Sequence, residues 1–168
     1  AFDVFVVRKI GVPGHQEFAM GAIASGGTRV LNDDIVSRLH IPDAAIRAVV
    51  DTQRIELARR ERVYRGDRAS LPLTGQIVVL VDDGLATGAT MRAAVQAVRR
   101  HGPSRVVVAV PVGSAEACNA LEQVADAVIC ARIPPLFSAV GQWYEDFSET
   151  SDEEVCTLLA EQPFPPPT

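Results

Sequence analysis

A run of five apolar residues, 77–81, ends at two adjacent carboxylates, Asp82 and Asp83. Small and hydroxyl-bearing residues follow, and a helical pattern begins near residue 88. This order predicts a buried strand that leads through a small-residue loop into a helix, an arrangement whose backbone N–H groups bind phosphate. Any fold of this chain must therefore bring the carboxyl end of a strand beside the amino end of a helix.

The two acids add a second function to such a loop. A pair of carboxylates repels phosphate, so we expect Asp82 and Asp83 to face a group beside it. Ionised carboxylates are pure hydrogen-bond acceptors that suit vicinal sugar hydroxyls, and they also suit Mg2+, which keeps its water shell. An Asp-Asp pair alone would equally fit a strand end with a helix cap. The strand before it and the Thr-Gly-Ala-Thr after it favour a phosphate site.

Composition narrows the class of protein. The chain has 168 residues, enough for one domain with a buried core. A net charge of −5 gives no basic footprint for nucleic acid, and no apolar run approaches the roughly 20 residues that cross a membrane. The three cysteines are odd in number and show no Cys-x-x-Cys spacing, which predicts reduced thiols in a cytoplasmic protein.

The two ends of the sequence suggest a fragment. The chain begins at Ala1 without a Met, and residues 163–168 are mostly proline. Proline-rich segments are extended and build no core. We expect one domain over residues 1–160 that lacks an N-terminal part, and a tail over residues 161–168 that leads toward a further fused domain.

Alternating strand and helix signals predict an α/β fold, with a Rossmann-like parallel sheet flanked by helices. Strands are predicted at residues 3–8, 28–31, 77–81, 105–110 and 127–130, a loop at 11–14, and helices starting near Pro42, Gly88, Ser114 and Ser151. Ser151 and Glu154 have the spacing of a capping box. Because ligands bind at the carboxyl ends of parallel strands, we expect residues 82–90 and the Arg8-Lys9 pair along one edge.

The segment Val79-Leu-Val-Asp-Asp-Gly-Leu-Ala-Thr-Gly-Ala-Thr90 resembles the 5-phosphoribosyl 1-pyrophosphate (PRPP) signature of type I phosphoribosyltransferases. The resemblance implies the fold of that family. It also implies that Asp82 and Asp83 hold the ribose 2- and 3-hydroxyls, while the loop after them holds the 5-phosphate. The residues implied in substrate binding through this loop are Gly84, Ala86, Thr87, Gly88, Ala89 and Thr90.

A second likeness is the Arg8-Lys9 pair at the predicted end of the first strand. Several members of the family carry such a pair, which reaches the pyrophosphate. Lys9 is the sole lysine of the sequence. Apart from the resemblance, the pair would be read as a solvated strand end. Residues 7–22 and 137–147 are similar to an uncharacterised bacterial subgroup of the family.

The resemblance implies Mg2+-dependent transfer of ribose 5-phosphate from PRPP to a small-molecule nitrogen acceptor, such as a nucleobase, with release of pyrophosphate. Asp82, Asp83, Arg8 and Lys9 are the expected catalytic set, and the two acids are expected to reach Mg2+ through water. The family's earlier strand and loop for pyrophosphate have no counterpart in these residues. The alternative is a PRPP-sensing regulatory or accessory module without catalysis.

Two groups of residues keep two interpretations each. Arginines within residues 59–75 either cover the pyrophosphate as a mobile loop or lie on an exposed helix face, paired with Glu56 and Glu61. Phe137, Trp143 and Tyr144 either form an aromatic wall for a planar acceptor, or belong to the core or to a subunit contact such as that of a homodimer.

Overall fold

The structure is a computed structural model that describes residues 2–66, 68 and 70–161. The chain divides into two units, one formed by Ala1–Pro72 with Glu149–Thr168 and the other by Leu73–Ser148. Each unit contains its own three-stranded sheet. Of the predicted tail over residues 161–168, all but Glu161 lies outside the described residues.

The sheet of the first unit is antiparallel. Its strands are β1 (Val7–Val12), β2 (His15–Ala24) and β3 (Thr28–Leu31), in the order β1-β2-β3. A turn through Pro13 and Gly14 joins the first two strands, and Gly14 takes φ +79°, a conformation that favours glycine. The predicted strand at residues 28–31 is confirmed.

The prediction for the first strand was wrong in its bounds and its sheet. Residues 3–6 are not in a strand, the strand runs through the predicted loop as far as Val12, and it pairs antiparallel with β2. The apolar run from Val4 gives a strand signal, but the Pro-Gly turn makes the following residues a hairpin. Arg8 and Lys9 therefore lie near the start of an antiparallel strand and not at the carboxyl end of a parallel one.

Two helices, α1 (Asp33–Arg38) and α2 (Asp43–Arg65), follow this sheet in the chain. The start of α2 after Pro42 agrees with the prediction, because the fixed φ of proline suits a helix start. Ile46, Val50 and Leu57 form its buried face and pack with the buried side chains of β1 and β2. Their spacing of four and seven residues is that of one helix face.

The arginines of residues 59–65 lie on α2, and the interpretation as an exposed helix face is confirmed for Arg59 and Arg62 but is wrong for the largely buried Arg65. Arg59 pairs with Glu56 at 2.8 Å, as i,i+3 neighbours do. Arg65 pairs with Asp3 at 2.9 Å, and both side chains are largely buried. The latter pair ties the end of α2 to the residues that precede β1.

The second unit contains the predicted parallel sheet. Its strands are β4 (Ile77–Val81), β5 (Arg105–Val112) and β6 (Ala127–Arg132), in the order β4-β5-β6. Helices α3 (Ala89–Arg99) and α4 (Ala115–Glu122) connect successive strands, and Ser114 caps α4 as predicted. Such βαβ units place the carboxyl ends of all three strands at one edge.

Residues 77–81 form the predicted strand, but the expectation that this strand is buried was wrong for one of its faces. Val79 and Val81 are 54% and 69% exposed, whereas Leu80 is buried. Alternate residues of a strand point to opposite faces. Val106 and Val108 of β5 and Val95 of α3 are buried, whereas the side chains on the alternate face of β4 are exposed.

The last helix, α5 (Asp152–Ala160), belongs to the first unit. Its capping box is complete, with Ser151 accepting from the Glu154 N–H and Glu154 accepting from the Ser151 N–H. The Tyr64 hydroxyl of α2 donates to Asp152 at 2.6 Å, which links the two helices. Within the described part of the chain, no helix is both long enough and apolar enough to span a membrane.

Candidate functional site

The acidic loop, residues 82–88, joins β4 to α3. Backbone hydrogen bonds hold the middle of the loop against the end of β5 and the residues after it. The Leu85 N–H donates to the Val112 carbonyl at 3.0 Å, and the Ser114 N–H donates to the Leu85 carbonyl at 2.9 Å. The Ser114 hydroxyl donates to the Ala86 carbonyl at 2.8 Å. Leu85 is only 1% exposed. This buried residue anchors the loop, while the other side chains of the loop stay accessible to solvent.

Gly88 turns the chain from loop into helix. It takes φ +69° and ψ 3°, the left-handed region, as the residue before α3. A Cβ at this position would also lie 3.3 Å from the Cβ of Ala117. Helix α3 begins at Ala89 with no acidic side chain in its first turn. The positive end of its dipole and its first N–H groups are therefore suited to an anion.

The two carboxylates lie at the start of the loop. The Asp83 N–H donates to the Asp82 carboxylate at 3.0 Å. Although Asp82 as a residue is exposed, partial desolvation of its carboxyl raises the pKa above the ordinary value, and the charge of Asp83 raises the pKa further against that hydrogen bond. A cation or a set of hydroxyl donors at this pair would relieve that repulsion.

Residues 140–147, the aromatic segment, contact the acidic loop. The Tyr144 hydroxyl donates to the Asp83 carbonyl at 2.6 Å. Gly84 has no room for a side chain, since its Cβ would lie 2.7 Å from Cγ1 of Val140. Tyr144 also packs on Phe147, with ring centroids 5.2 Å apart. This segment is thus a second wall of the site, which no local sequence signal connects to the loop.

Two of the three aromatic residues with an open role are not part of the core. Trp143 and Tyr144 are 36% and 37% exposed, and Phe137 is half-buried. The guanidinium of Arg132 lies 5.4 Å from the centre of the Trp143 ring, within cation–π range. The core interpretation is therefore wrong for Trp143 and Tyr144, and the acceptor wall and the subunit contact stay predictions.

The structure brings most of the predicted site residues together in one stretch. Asp82 and Asp83, the loop and the first turn of α3 are continuous and largely exposed. The predicted residues within this stretch are Asp82, Asp83, Gly84, Ala86, Thr87, Gly88, Ala89 and Thr90. Their assignment to a ligand stays a prediction that their geometry suits.

Arg8 and Lys9 lie in β1 of the first unit, whereas the acidic loop is in the second unit. Arg8 donates through Nε to the Gln53 side chain of α2 at 3.1 Å, and Lys9 is exposed. The expectation that the pair lies at the edge of the same parallel sheet as the loop was wrong, because β1 and β4 belong to different sheets. The contact of Arg8 and Lys9 with pyrophosphate stays a prediction.

The acid pair suits a Mg2+ ion that is shared with waters and a substrate, and its contact with the ion stays a prediction. Among the described residues, no group of three or more His, Cys, Asp or Glu side chains could enclose a metal ion. Mg2+ is commonly held by one or two carboxylates together with waters and substrate phosphates. Asp82 and Asp83 match that pattern, because they are adjacent and exposed.

The family of this chain follows from comparison with known proteins. Residues 16–147 match the family model described as "Phosphoribosyl transferase domain". The matched range runs from β2 to the end of the aromatic segment and includes the whole acidic loop. The chain belongs to the phosphoribosyl transferase domain family.

Relatives share both the sequence and the fold. Two proteins of Mycobacterium tuberculosis (strains CDC 1551 / Oshkosh and ATCC 25618 / H37Rv), each named "Putative phosphoribosyl transferase", are 52% identical over 157 residues, which is 94% of this chain. The chain spans only 35% of the length of these curated relatives. The crystal structure of TT1426 from Thermus thermophilus is similar at a TM-score of 0.81 and 44% identity, over 95% of this chain and 75% of that chain.

Proposed function

We propose that this chain is the PRPP-binding domain of a Mg2+-dependent phosphoribosyltransferase that transfers ribose 5-phosphate to a nitrogen acceptor, a nucleobase, and releases pyrophosphate. The observation that carries the proposal is one continuous stretch. An exposed acid pair is followed by a left-handed glycine and by a helix start without acids, and the stretch lies inside the family match.

Two kinds of group in this stretch bind different parts of the substrate. Asp82 and Asp83 accept hydrogen bonds from the ribose 2- and 3-hydroxyls. Backbone N–H groups of the acidic loop and of the α3 start, with the hydroxyls of Thr87 and Thr90, bind the 5-phosphate. Each hydrogen bond to the charged phosphate contributes about 1.5–3 kcal/mol.

In the proposed reaction, a nitrogen lone pair of the acceptor forms a bond to C1 of the ribose. The bond from C1 to the pyrophosphate oxygen breaks, the pyrophosphate keeps the electron pair, and the acceptor nitrogen releases its proton to solvent. Positive charge develops on the sugar, beside the two carboxylates, and Arg8 and Lys9 neutralise the departing pyrophosphate. Bound Mg2+ supplies further neutralisation of that leaving group. Catalysis then rests on positioning and electrostatics.

Calorimetric titration with PRPP in the presence of Mg2+ tests the binding site. We expect saturable binding to the wild-type chain and at least a hundredfold loss in Asp82→Asn/Asp83→Asn, because two charge-assisted contacts disappear. Asp33→Asn/Asp34→Asn is the matched control, since it neutralises another exposed adjacent pair, in α1 of the first unit. Equal affinity in the two double variants would refute the assignment of the acid pair.

Release of pyrophosphate across a panel of purine and pyrimidine bases tests the chemistry. One base should give release that depends on PRPP, Mg2+ and the acid pair. Binding of PRPP without release for any base, in the full-length protein, would instead favour a PRPP-sensing module.

A further inference from the structure

We propose that Tyr144 is a positioning residue for the acid pair: its hydroxyl fixes the Asp83–Gly84 peptide and thereby holds Asp82 and Asp83 in the orientation that binds the two ribose hydroxyls. This inference rests on the proposed function, since it assigns a role within the same site. The residue that it names lies 61 positions along the chain from its partner.

The contact is short and placed on the backbone. The Tyr144 hydroxyl donates to the Asp83 carbonyl at 2.6 Å, at the short end of the range for O–H···O bonds. That carbonyl belongs to the peptide plane between Asp83 and Gly84. Fixing the plane restricts ψ of Asp83 and φ of Gly84, and the direction of the Asp83 carboxylate follows from its backbone.

The neighbouring residue of the loop is held by the same segment. A Cβ on Gly84 would lie 2.7 Å and 2.9 Å from the two Cγ atoms of Val140, and 3.0 Å from the Val112 carbonyl oxygen. Gly84 thus lies between the end of β5 and the aromatic segment. Two successive residues of the loop therefore contact the aromatic segment, one through a hydrogen bond and one through packing.

The Tyr144 ring is itself fixed. It packs on Phe147 at a centroid distance of 5.2 Å and an interplanar angle of 39°. Gly141 allows this arrangement, because a Cβ there would lie 2.7 Å from Cδ1 of Phe147. A hydroxyl on a packed ring directs its hydrogen bond with little loss of side-chain entropy, which is what a positioning role requires.

The hydroxyl stays a donor across the neutral pH range. Desolvation raises its pKa above the ordinary value of 10.0, and the nearby charges of Asp83 and Asp82 raise the pKa further. The neutral phenol is therefore the form present beside the acid pair. A phenolate would repel both carboxylates and could not donate to the carbonyl.

Substitution of the hydroxyl alone tests the proposal. Tyr144→Phe keeps the ring, and Tyr64→Phe is the matched control because it removes a hydroxyl bond of the same 2.6 Å length in the first unit. The ligands are ribose 5-phosphate and 2-deoxyribose 5-phosphate, which differ by one of the hydroxyls that the acid pair would bind. Trp143 is the only tryptophan of the sequence and neighbours Tyr144, so we expect its fluorescence to change on binding.

We expect Tyr144→Phe to bind ribose 5-phosphate about 3- to 10-fold more weakly, the range of one neutral hydrogen bond. Its preference for ribose over 2-deoxyribose 5-phosphate should fall by a similar factor, whereas Tyr64→Phe should match the wild type in both. A merely structural role would weaken both ligands equally and leave the preference unchanged, and that result would overturn the proposal.

Carboxyl 13C NMR of the ligand-free protein separates this inference from the proposed function. Tyr144→Phe should shift the side-chain carboxyl signals of Asp82 and Asp83, and Tyr64→Phe should not. Unchanged signals in Tyr144→Phe would overturn the positioning role even if ribose 5-phosphate binds. Signals that shift in Tyr144→Phe, in combination with a wild-type protein that binds neither sugar phosphate, would refute the proposed function and the ribose role and would leave only the contact itself.

Discussion

The surroundings of Asp82 destabilise its ionised form. Its raised pKa has two physical causes, loss of water around the carboxyl and the charge of Asp83 next to it. Hydrogen bonds from hydroxyl donors, or the charge of a hydrated cation, would offset both effects by favouring the ionised form. The same reasoning explains how an acid pair can lie beside a phosphate loop, because the proposed ligand would supply sugar hydroxyls between the two negative groups.

Gly84 has a different kind of constraint, which is purely steric. Gly84→Ala should destabilise the second unit by about 1–3 kcal/mol, the usual result of adding a methyl group to a filled space. The added Cβ would meet Val140 from one side and the Val112 carbonyl from the other. Urea unfolding followed by Trp143 fluorescence measures the change, since Trp143 is in the second unit.

Removing the Val140 side chain gives the control for that prediction. In Gly84→Ala/Val140→Ala the two closest contacts of the new Cβ are absent. We therefore expect the double variant to be more stable than the sum of the single changes predicts, by an interaction free energy of about 0.5–3 kcal/mol. Strict additivity would show that Val140 does not hold Gly84 in solution.

At the scale of elements, Asp126 connects three parts of the second unit. Its carboxylate accepts from the Val106 N–H of β5 at 2.7 Å and pairs with Arg99, the last residue of α3, at 3.1 Å. The Val106 N–H is the main cause that lowers the Asp126 pKa below the ordinary 3.8, and Arg99 lowers the pKa further. The residue itself lies in the turn before β6.

This contact predicts a pH dependence. An acid whose pKa is lowered in the folded state adds stability above its ordinary pKa of 3.8 and loses it as the pH falls through the lowered value. Asp126→Asn keeps an oxygen acceptor but no charge. Its urea midpoint, read from Trp143 fluorescence, should be below that of the wild type at neutral pH, and the difference should vanish in acid.

Glu145→Gln is the control, because it removes an exposed carboxylate from the same unit and changes the net charge equally. Its urea midpoint should follow the wild type at every pH. An Asp126→Asn midpoint parallel to that of the wild type down to strong acid would contradict the role of the Asp126 charge.

Elements with local signals could be predicted from the sequence. The strand at 77–81, the capping box at Ser151 and the cap at Ser114 are where the sequence indicates, because the residues that cause them are within a few positions of each other. The β1–β2 hairpin was missed because the apolar run before Val7 gives the same signal as a strand. The pairing partner of a strand depends on residues that are distant in the sequence, so local patterns do not predict it.

The site shows the same division between local and distant information. The acidic loop and the start of α3 are adjacent in sequence, so it could be predicted that they form one site. The Tyr144 contact with Asp83 joins residues 61 positions apart, and no periodicity relates them. The choice between loop and helix for Arg59 to Arg65 required the ion pairs that α2 makes.

At the scale of the whole molecule, the chain leaves the first unit at Pro72 and returns to it at Glu149. The return is held by α5, whose Asp152 accepts from Tyr64 and pairs with Arg59 at 3.6 Å. The second unit is therefore a continuous segment inserted between two parts of the first. Ligand binding to the acidic loop is expected to stabilise this inserted segment first.

Hydrogen exchange measured with two ligands tests how far that stabilisation extends. At a hundredfold excess over its dissociation constant, a ligand stabilises the folded state by about 2.7 kcal/mol, which slows exchange through unit opening about a hundredfold. Ribose 5-phosphate and PRPP with Mg2+ should both protect β4, β5 and β6. Only PRPP carries the pyrophosphate that Arg8 and Lys9 are proposed to contact, so only PRPP should also protect residues 7–12 of β1.

The double variant Arg8→Gln/Lys9→Gln separates protection of β1 by pyrophosphate contact from a general decrease in hydrogen exchange on ligand binding. It should abolish the additional protection of β1 by PRPP and leave the protection of β4 to β6 by ribose 5-phosphate unchanged, because the acidic loop is intact. Equal protection of β1 by both ligands in the wild-type protein would show that Arg8 and Lys9 do not contact the pyrophosphate. Because β1 is antiparallel and belongs to a different sheet from β4, sheet topology does not assign Arg8 and Lys9 to the site, and this experiment decides whether they belong to it.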